Sequence, residues 1–389
     1  MRLIADGVVD REGVDGLARM LGYGARHVHR ELVAEVGAGP QALARAQRAQ
    51  TARVLIETTK LPFAEVAFAA GFASIRQFND TIKQVFDSTP TGLRRRSAGG
   101  VESSAARVLL RLPYRSPFDP GVLDFLGARA VPGVEEASAA GYTRSLRLPA
   151  GSGLASLAVR EGYVECALEL DDLRDLAAAV QRCRALLDLD CDPTCIDGHL
   201  GGDPALRPAV ARQPGRRLPG TTDPFELAVR AILGQQVSVA GAQTLAGRLV
   251  AARGKPLTAG RAGVTHLFPD PEALAGADLL ELGMPGSRRR ALRCFAEAVA
   301  DGRLVLDRGA ERDEVMEKMK ALPGIGPWTA SYVAMRALGD PDAFLSGDLG
   351  VRKAAERLGL PGSPSALTVA AERWRPWRSY AVQYLWRCL

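Results

Sequence analysis

The sequence predicts a mixed but mainly α-helical chain in three parts: a tandem helix-turn-helix, an antiparallel α+β sheet segment, and a second helical part built around a tight hairpin. Three observations carry this. Residues 1–97 show the same helix, glycine turn, helix pattern twice; residues 105–217 contain stretches that alternate apolar and polar; residues 218–389 return to helical spacing on either side of a Pro/Gly turn. Residues 98–104, rich in small residues, read as a linker. The 389 residues suffice for two or three cores, and 47% hydrophobic with 24% charged residues excludes a disordered or fibrous chain. No apolar run reaches the roughly 18 residues of a membrane span. The apolar stretch after Arg2 is too short for a secretory signal, so a cytoplasmic location with no membrane partner is expected. The six cysteines are scattered. Cys191 and Cys195 are close but lack a second pair or a histidine at zinc spacing, so reduced thiols and no metal ligands are expected. A net charge of +6 permits an anionic partner without requiring one.

In the N-terminal part, Val14, Leu17, Ala18 and Leu21 suit one short helix. A turn leads to a second helix that carries Arg26, His27, His29 and Arg30 beside Val28, Leu32 and Val36. The pattern recurs: Phe63, Val66, Ala67 and Ala70 form a helix face, Gly71 turns the chain, and Ser74 caps the next helix. Ile75, Phe78, Ile82, Val85 and Phe86 are expected on its buried side, leaving Arg76, Gln77, Asn79 and Lys83 outward. Each second helix is sized for a major groove, where Arg reads guanine, Asn or Gln reads adenine, and Lys meets phosphate. The same polar set also suits a solvated helix face. Arg94, Arg95 and Arg96 read with Ser97–Gly100 as the linker.

In the middle part, Arg107–Leu112, Tyr142–Leu148 and portions of Leu154–Leu170 alternate as strands, with Gly162 in a turn. Asp171 or Asp172 then caps a helix running to Leu187. Nothing here has catalytic spacing, and the isolated His199 reads as structural.

The C-terminal part opens with Asp223 capping and Pro224 starting a helix, with Leu227, Ile232, Leu233 and Val237 as core candidates. Three arginines follow the Gly283–Gly286 turn, either to touch a nucleic-acid backbone or to solvate the surface. Val315, Met316, Met319 and Leu322 mark a helix that Pro323 stops; Gly324, Ile325 and Gly326 form a tight turn, and Pro327 opens the next helix. This is a helix–hairpin–helix. Its turn offers bare backbone N–H groups before a helix N-terminus, a place for a phosphate; an ordinary loop between packed helices has the same sequence. Trp328, Tyr332 and Met335 share a face. Asp348, twenty-two residues past Gly326, precedes an apolar-periodic run and reads as a helix N-cap; an acid facing aromatic rings beside a phosphate-binding turn also suits removal of a base from DNA.

These motifs, with Ala231-Ile-Leu-Gly-Gln-Gln-Val-Ser238 and Arg373-Trp-Arg-Pro-Trp-Arg-Ser-Tyr-Ala381, resemble the AlkA branch of the helix-hairpin-helix DNA glycosylases over about 280 residues. Phe118-Asp-Pro, Phe125-Leu-Gly-Ala-Arg-Ala and Gly141-Tyr-Thr-Arg-Ser-Leu are similar to the sheet domain at the front of those enzymes. Ala67 to Asn79 and Phe86-Asp-Ser-Thr-Pro90 resemble the AraC-type DNA-binding domain, in particular the copy in the Ada alkylation-response activator. The zinc-bearing methyl-acceptor domain of Ada proteins has no match here: either it is absent or Met1 is not the true start, and methyl sensing is not expected of the residues given.

The resemblance implies a monofunctional glycosylase. It would flip an alkylated base such as 3-methyladenine out of double-stranded DNA and hydrolyse its N-glycosidic bond. Asp348 matches the catalytic aspartate, Trp328, Tyr332 and Trp386 the base pocket, Gln236 the wedge that fills the gap, and Pro323, Gly324, Ile325 and Gly326 the backbone-binding hairpin. Members with lyase activity carry a lysine where this chain has Trp328, so no Schiff base is expected. The C-terminal cysteines of an iron–sulfur cluster are missing, so no cofactor is expected beyond a monovalent cation at the hairpin carbonyls. The AraC-type part implies promoter DNA and RNA polymerase as partners. The alternative is a transcriptional activator whose glycosylase half is secondary or inactive.

Overall fold

Small caps and glycine turns divide the N-terminal helices where the sequence marks them. The computed structural model describes residues 2–96, 107–261 and 263–388, so the expected 98–104 linker lies outside the described residues. The chain forms two units: Met1–Arg111 with Leu146–Leu157 and Glu165–Cys183, and Leu112–Ser145 with Ala158–Val164 and Arg184–Leu389.

In the first unit, Val8–Leu21 is a helix broken at Gly13, whose φ is +72°, and ended at Gly22. Leu17 and Ala18 are buried, but Leu21 is exposed where the chain leaves the core. Ala25–Val36 follows. The longest helix of the unit, Pro40–Thr58, has no counterpart among the expected elements. Its buried face includes Ala44, Ala49 and Ala52 beside Leu55 and Ile56, and alanine gives little contrast to a hydrophobic pattern. It packs against the helices of both helix-turn-helix units. In the second of these, Phe63–Ala69 leads through Gly71, at φ +85°, to Ile75–Phe86.

The Ser74 hydroxyl accepts from the Gln77 N–H at 3.2 Å, and the Gln77 side chain accepts from the Ala73 N–H at 3.4 Å. The pair is a variant of the capping box in which the reciprocal bond comes from the residue before the cap. Burial is confined to Phe78, Thr81 and Ile82 in the middle turns; Ile75 and Val85, expected inside, are 44% and 48% exposed. The three arginines expected in the linker instead end the helix Pro90–Arg96. Arg94 donates to the Leu61 carbonyl at 2.7 Å and lies 4.1 Å over the Phe63 ring, so an aromatic face and an orphan carbonyl hold it. Ser74→Ala is expected to cost about 1 kcal/mol of the unit's stability. Far-ultraviolet circular dichroism is the appropriate probe, because all four tryptophans belong to the other unit.

The sheet has five strands: β1 (Arg107–Pro113), β2 (Glu135–Ser138), β3 (Gly141–Arg147), β4 (Ser152–Arg160) and β5 (Tyr163–Leu170), in the order β1-β5-β4-β3-β2. Gly162, at φ +79°, turns β4 into β5. β2 was not expected, since Glu-Glu-Ala-Ser has no alternation; it pairs antiparallel with β3, Glu135 opposite Arg144. Asp172 caps a single 3-10 turn, Leu173–Asp175, before the helix Leu176–Leu186.

The second unit buries one large core that includes Ile232, Leu292, Phe295, Met319, Val333, Val351, Trp374 and Leu385. Asp223 caps Pro224–Leu233 as expected. The helix stops at Gly234, so Val237 falls in a loop and is 39% exposed rather than core. A hairpin of β6 (Lys255–Arg261) and β7 (Val264–Leu267) is a further unexpected element. Of the arginines after Gly286, Arg288 donates to the Leu233 carbonyl at 2.7 Å and Arg289 to the Asp278 carbonyl at 3.1 Å; Arg290 stays exposed. His199 bonds the Arg373 carbonyl at 3.2 Å, in keeping with a structural role.

Candidate active site

The hairpin forms as its residues dictate. Arg312–Lys320 ends before Pro323, and Pro327–Arg336 begins with Gly326 as N-cap and proline at the first position. Gly324 has φ +77°, and a Cβ there would meet the Ala291 Cβ at 2.7 Å, so conformation and space both require glycine. Ile325 is buried and anchors the turn, while Pro323, Gly324 and Gly326 are exposed. Among the described residues, the Gly324 and Gly326 N–H groups donate to no backbone carbonyl. Both residues are exposed beside a helix N-terminus, an arrangement that suits an anion.

Asp348 is the expected helix cap, and its carboxylate also meets two of the indoles. It is the N-cap of Leu349–Arg357, its Oδ1 accepting from the Val351 N–H at 2.8 Å. The same oxygen accepts from Trp386 Nε1 at 2.9 Å, and Oδ2 accepts from Trp328 Nε1 at 3.0 Å. Three donors on three helices thus set the carboxylate, which is half-buried. The Trp328 and Tyr332 rings stack at 5.2 Å with planes 15° apart, one turn apart on their helix. Tyr332 lies 6.5 Å from Trp386. The predicted wall residues and the acid therefore form one cluster.

Three groups of the cluster escape sequence reasoning. Phe125 stacks on Trp386 at 6.0 Å with planes 19° apart, although 261 residues separate them. Arg336 donates to the Tyr332 hydroxyl at 2.5 Å and to the Pro219 and Gly220 carbonyls, and its guanidinium lies 4.9 Å over Phe125. Arg129 lies 3.8 Å over the same ring. Burial would raise the Tyr332 phenol, but Arg336 and Arg129 together hold it below the usual tyrosine range. Phe125 and Arg129 lie in a stretch that the sequence marks only as part of the front sheet domain, and Tyr332 and Arg336 are spaced one helical turn apart; neither signal points to the site.

Gln236 is exposed with φ +57° in the loop between Leu233 and the Ser238 cap. A left-handed non-glycine residue costs about 1 kcal/mol, and its neighbour Gln235 shows what holds the loop. Gln235 Nε2 donates to the Gly324 carbonyl at 3.0 Å and to the Thr329 hydroxyl at 2.9 Å. The loop is thereby tied to the hairpin. Gln235→Ala is expected to lower single-turnover base release about tenfold through misplacement of the loop, checked by quenched-flow kinetics on duplex DNA.

A buried ion network supports the Phe125–Arg129 segment. Arg144 donates to Glu135 at 3.0 Å and Glu226 at 2.6 Å; Arg230 pairs with both acids at 2.9 and 2.8 Å. Arg230 also donates to the Arg129 carbonyl at 2.5 Å, and the Tyr142 hydroxyl donates to Glu135. Burial alone would raise the Glu135 carboxyl; Arg230, Arg144 and the phenol hold it below its ordinary range.

Comparison with known proteins matches this architecture part by part. Residues 17–96 match a helix-turn-helix domain, 109–223 the AlkA N-terminal domain, and 229–379 the HhH-GPD superfamily of base excision DNA repair proteins. The chain is 56% identical, over all its length and 79% of the relative, to a "probable bifunctional transcriptional activator/DNA repair enzyme AlkA" of Mycobacterium tuberculosis. It is 36% identical to DNA-3-methyladenine glycosylase 2 of Escherichia coli over 71% of this chain and 95% of the relative. The chain belongs to the AlkA family of helix-hairpin-helix DNA glycosylases. A 3-methyladenine DNA glycosylase from Archaeoglobus fulgidus shares the fold, with a TM-score of 0.63 at 24% identity, covering 71% of this chain and 97% of that one. This AlkA-family member joins an HhH-GPD glycosylase part to an AraC-type DNA-binding domain.

Among the AraC-type contacts expected, Arg26, Arg30, Arg76, Gln77, Asn79 and Lys83 are exposed, Arg76 with 93% of its side chain accessible. His27 is half-buried; its ring lies tilted against Tyr23 at 4.8 Å and it bonds Arg30 at 2.9 Å, so both polar side chains are partly engaged. Gln77 is likewise engaged in its capping box. Among the described residues, no three His, Cys, Asp or Glu side chains gather as a metal site, and no helix is long and apolar enough to cross a membrane.

Proposed function

We propose that this AlkA-family member hydrolyses the N-glycosidic bond of alkylated bases, such as 3-methyladenine, in double-stranded DNA. The observation that carries the reading is the Asp348 carboxylate, fixed by the indole N–H groups of Trp328 and Trp386 within one aromatic cluster. The Gly324–Gly326 turn docks a phosphate of the damaged strand, and Gln236 fills the place of the extruded nucleotide. The base enters between Trp328, Tyr332 and Trp386. The C1′–N bond breaks with its electron pair leaving on the base, and Asp348 stabilises the cationic sugar. Water then attacks C1′ and loses a proton to solvent. Trp328 stands where a Schiff-base lysine would be needed, which supports hydrolysis without strand cleavage. No redox cofactor enters this scheme; a monovalent cation at the hairpin carbonyls would only strengthen phosphate binding, and the Gly324 carbonyl already accepts from Gln235. The test is release of 3-methyladenine from methylated duplex DNA. Absence of release by the wild-type chain would overturn the assignment.

A second, additional role is favoured by the exposed polar face of Ile75–Phe86. Through it the chain binds promoter DNA and acts in transcription with RNA polymerase, as the name of the mycobacterial relative suggests. Arg76→Ala in the full chain is expected to weaken binding at a preferred site by about 1–3 kcal/mol while base release persists. Footprints of equal strength from both proteins would remove Arg76 from that role.

A further inference from the structure

The helix Arg378–Trp386 packs against Leu349–Arg357, the helix that Asp348 caps. Ser379, Gln383 and Trp386 are spaced four and then three residues apart, so they form one stripe along it. The two ends of the stripe grip the segment that leads to the acid. Ser379 Oγ bonds the Asp340 and Ala343 carbonyls at 2.7 and 2.9 Å, and the Ser379 N–H donates to the Pro341 carbonyl at 2.9 Å. Trp386 Nε1 donates to Asp348 Oδ1 at 2.9 Å. Helix and segment are thereby laid side by side, and Gln383 falls level with the stretch between the two grips, residues 344–347. Gln383 is 5% exposed, and its amide nitrogen is buried with no hydrogen-bond partner among the described residues. An amide kept from water without a partner is unfavourable, and an apolar chain of the same shape would fill the space without that penalty. The neighbouring stretch holds what the amide lacks. Among the described residues the Phe344, Ser346 and Gly347 carbonyls accept from no backbone N–H, and the turn is closed by a single backbone bond, from the Asp348 N–H to the Leu345 carbonyl at 3.0 Å. The outer side of the same turn, at Gly347 and Leu349, is exposed. A donor and a set of acceptors at matching levels, not yet joined, are the relation expected of a hydrogen bond that tightens only once substrate is seated.

Building on the glycosylase reading, we propose that Gln383 is a positioning residue for base release, one whose amide nitrogen donates to a carbonyl of residues 344–347 when DNA presses on the exposed side of the turn. The bond completes the row of grips that Ser379 and Trp386 begin, and it fixes Asp348 against the sugar through the backbone of its own turn. Gln383 itself touches neither base nor sugar. Because the bond forms only in the complex, its energy lowers the barrier instead of stabilising the free chain. The cost is carried by the free protein as a buried amide without a partner.

The experiment measures single-turnover release from a duplex containing 3-methyladenine, together with the denaturant midpoint of each free protein, for wild type, Gln383→Met and Gln383→Glu. Gln383→Met keeps the length of the side chain and removes the amide. Its midpoint is expected to equal or exceed that of wild type, while its rate falls about tenfold to a hundredfold. Gln383→Glu replaces the amide by a carboxyl that donates only when protonated. Burial raises the pKa of such a carboxyl, so the ratio of the Gln383→Glu rate to the wild-type rate is expected to be low at alkaline pH and to climb as pH falls and the proton is taken up. A Gln383→Met rate equal to that of wild type would overturn the proposal. So would a midpoint that falls together with the rate, which marks a packing residue, or a Gln383→Glu ratio that does not change with pH. Each of these leaves the glycosylase reading intact. Absence of release by wild type would sink that reading and this role with it.

Discussion

Asp348→Asn is expected to reduce base release by about 10²- to 10³-fold while the chain stays folded. Asparagine is as good an N-cap as aspartate, so the amide oxygen keeps the bonds from the Val351 N–H and Trp386 Nε1 that Oδ1 accepts. The amide nitrogen then points at Trp328 Nε1, where Oδ2 now accepts. Two donors face each other, at a cost of about 1–3 kcal/mol. The negative charge opposite the developing sugar cation is lost in the same step. Tryptophan fluorescence and a denaturant midpoint would register the modest loss of stability, and single-turnover release of 3-methyladenine the large loss of rate. A mutant as fast as wild type would mean that Asp348 is only a cap. The comparison is informative because asparagine keeps the cap while removing the charge.

Glu226→Ala is expected to destabilise the second unit by about 3–5 kcal/mol, among the largest effects of any single replacement in this chain. Glu226 accepts from Arg144 and Arg230, and all three side chains are largely withdrawn from water. Removing the acid leaves two guanidinium groups sharing Glu135. A denaturation midpoint measured by tryptophan fluorescence tests this, and a shift below about 1 kcal/mol would be the value of a surface pair. The same network imposes a pH dependence. The folded Glu135 carboxyl lies below its ordinary value of about 4.5. Its contribution to stability is therefore complete above that value and is lost as pH falls through the lower folded value. Acid unfolding of the second unit should steepen below about pH 4.5, and Glu135→Gln should flatten that dependence while lowering stability at neutral pH. Since Arg230 also holds the Arg129 carbonyl, both replacements should loosen the Phe125–Arg129 segment and slow base release.

Much of the site was legible from local chemistry. A proline that stops a helix, a glycine at φ +77° and a proline that starts the next helix encode the hairpin within a few residues. Asp348 could be read as a cap because capping depends on the next three residues alone. Trp328 and Tyr332 share a face through helical periodicity. Other features were read wrongly for an equally local reason. Val237 fits the apolar spacing of the preceding helix, but Gly234 ends that helix first. Ile75 and Val85 fit the stripe of their helix, but only its middle turns are covered. Arg94 sits in a charge run that reads as linker until Leu61 and Phe63 are brought beside it.

What the amino-acid sequence determined by itself was therefore the set of parts: two helix-turn-helix units, an alternating sheet, a tight proline-glycine hairpin, an acid and its aromatic companions. Each rests on interactions within about four residues, where backbone geometry alone dictates which groups meet. Tertiary structure decided which of those parts form one site and what its charge is. Trp386 reaches Asp348 across 38 residues, Phe125 reaches Trp386 across 261, and Arg129 and Arg336 converge on a single ring. No periodicity spans such separations, because they are closed by packing of a common core and not by the path of the chain between them.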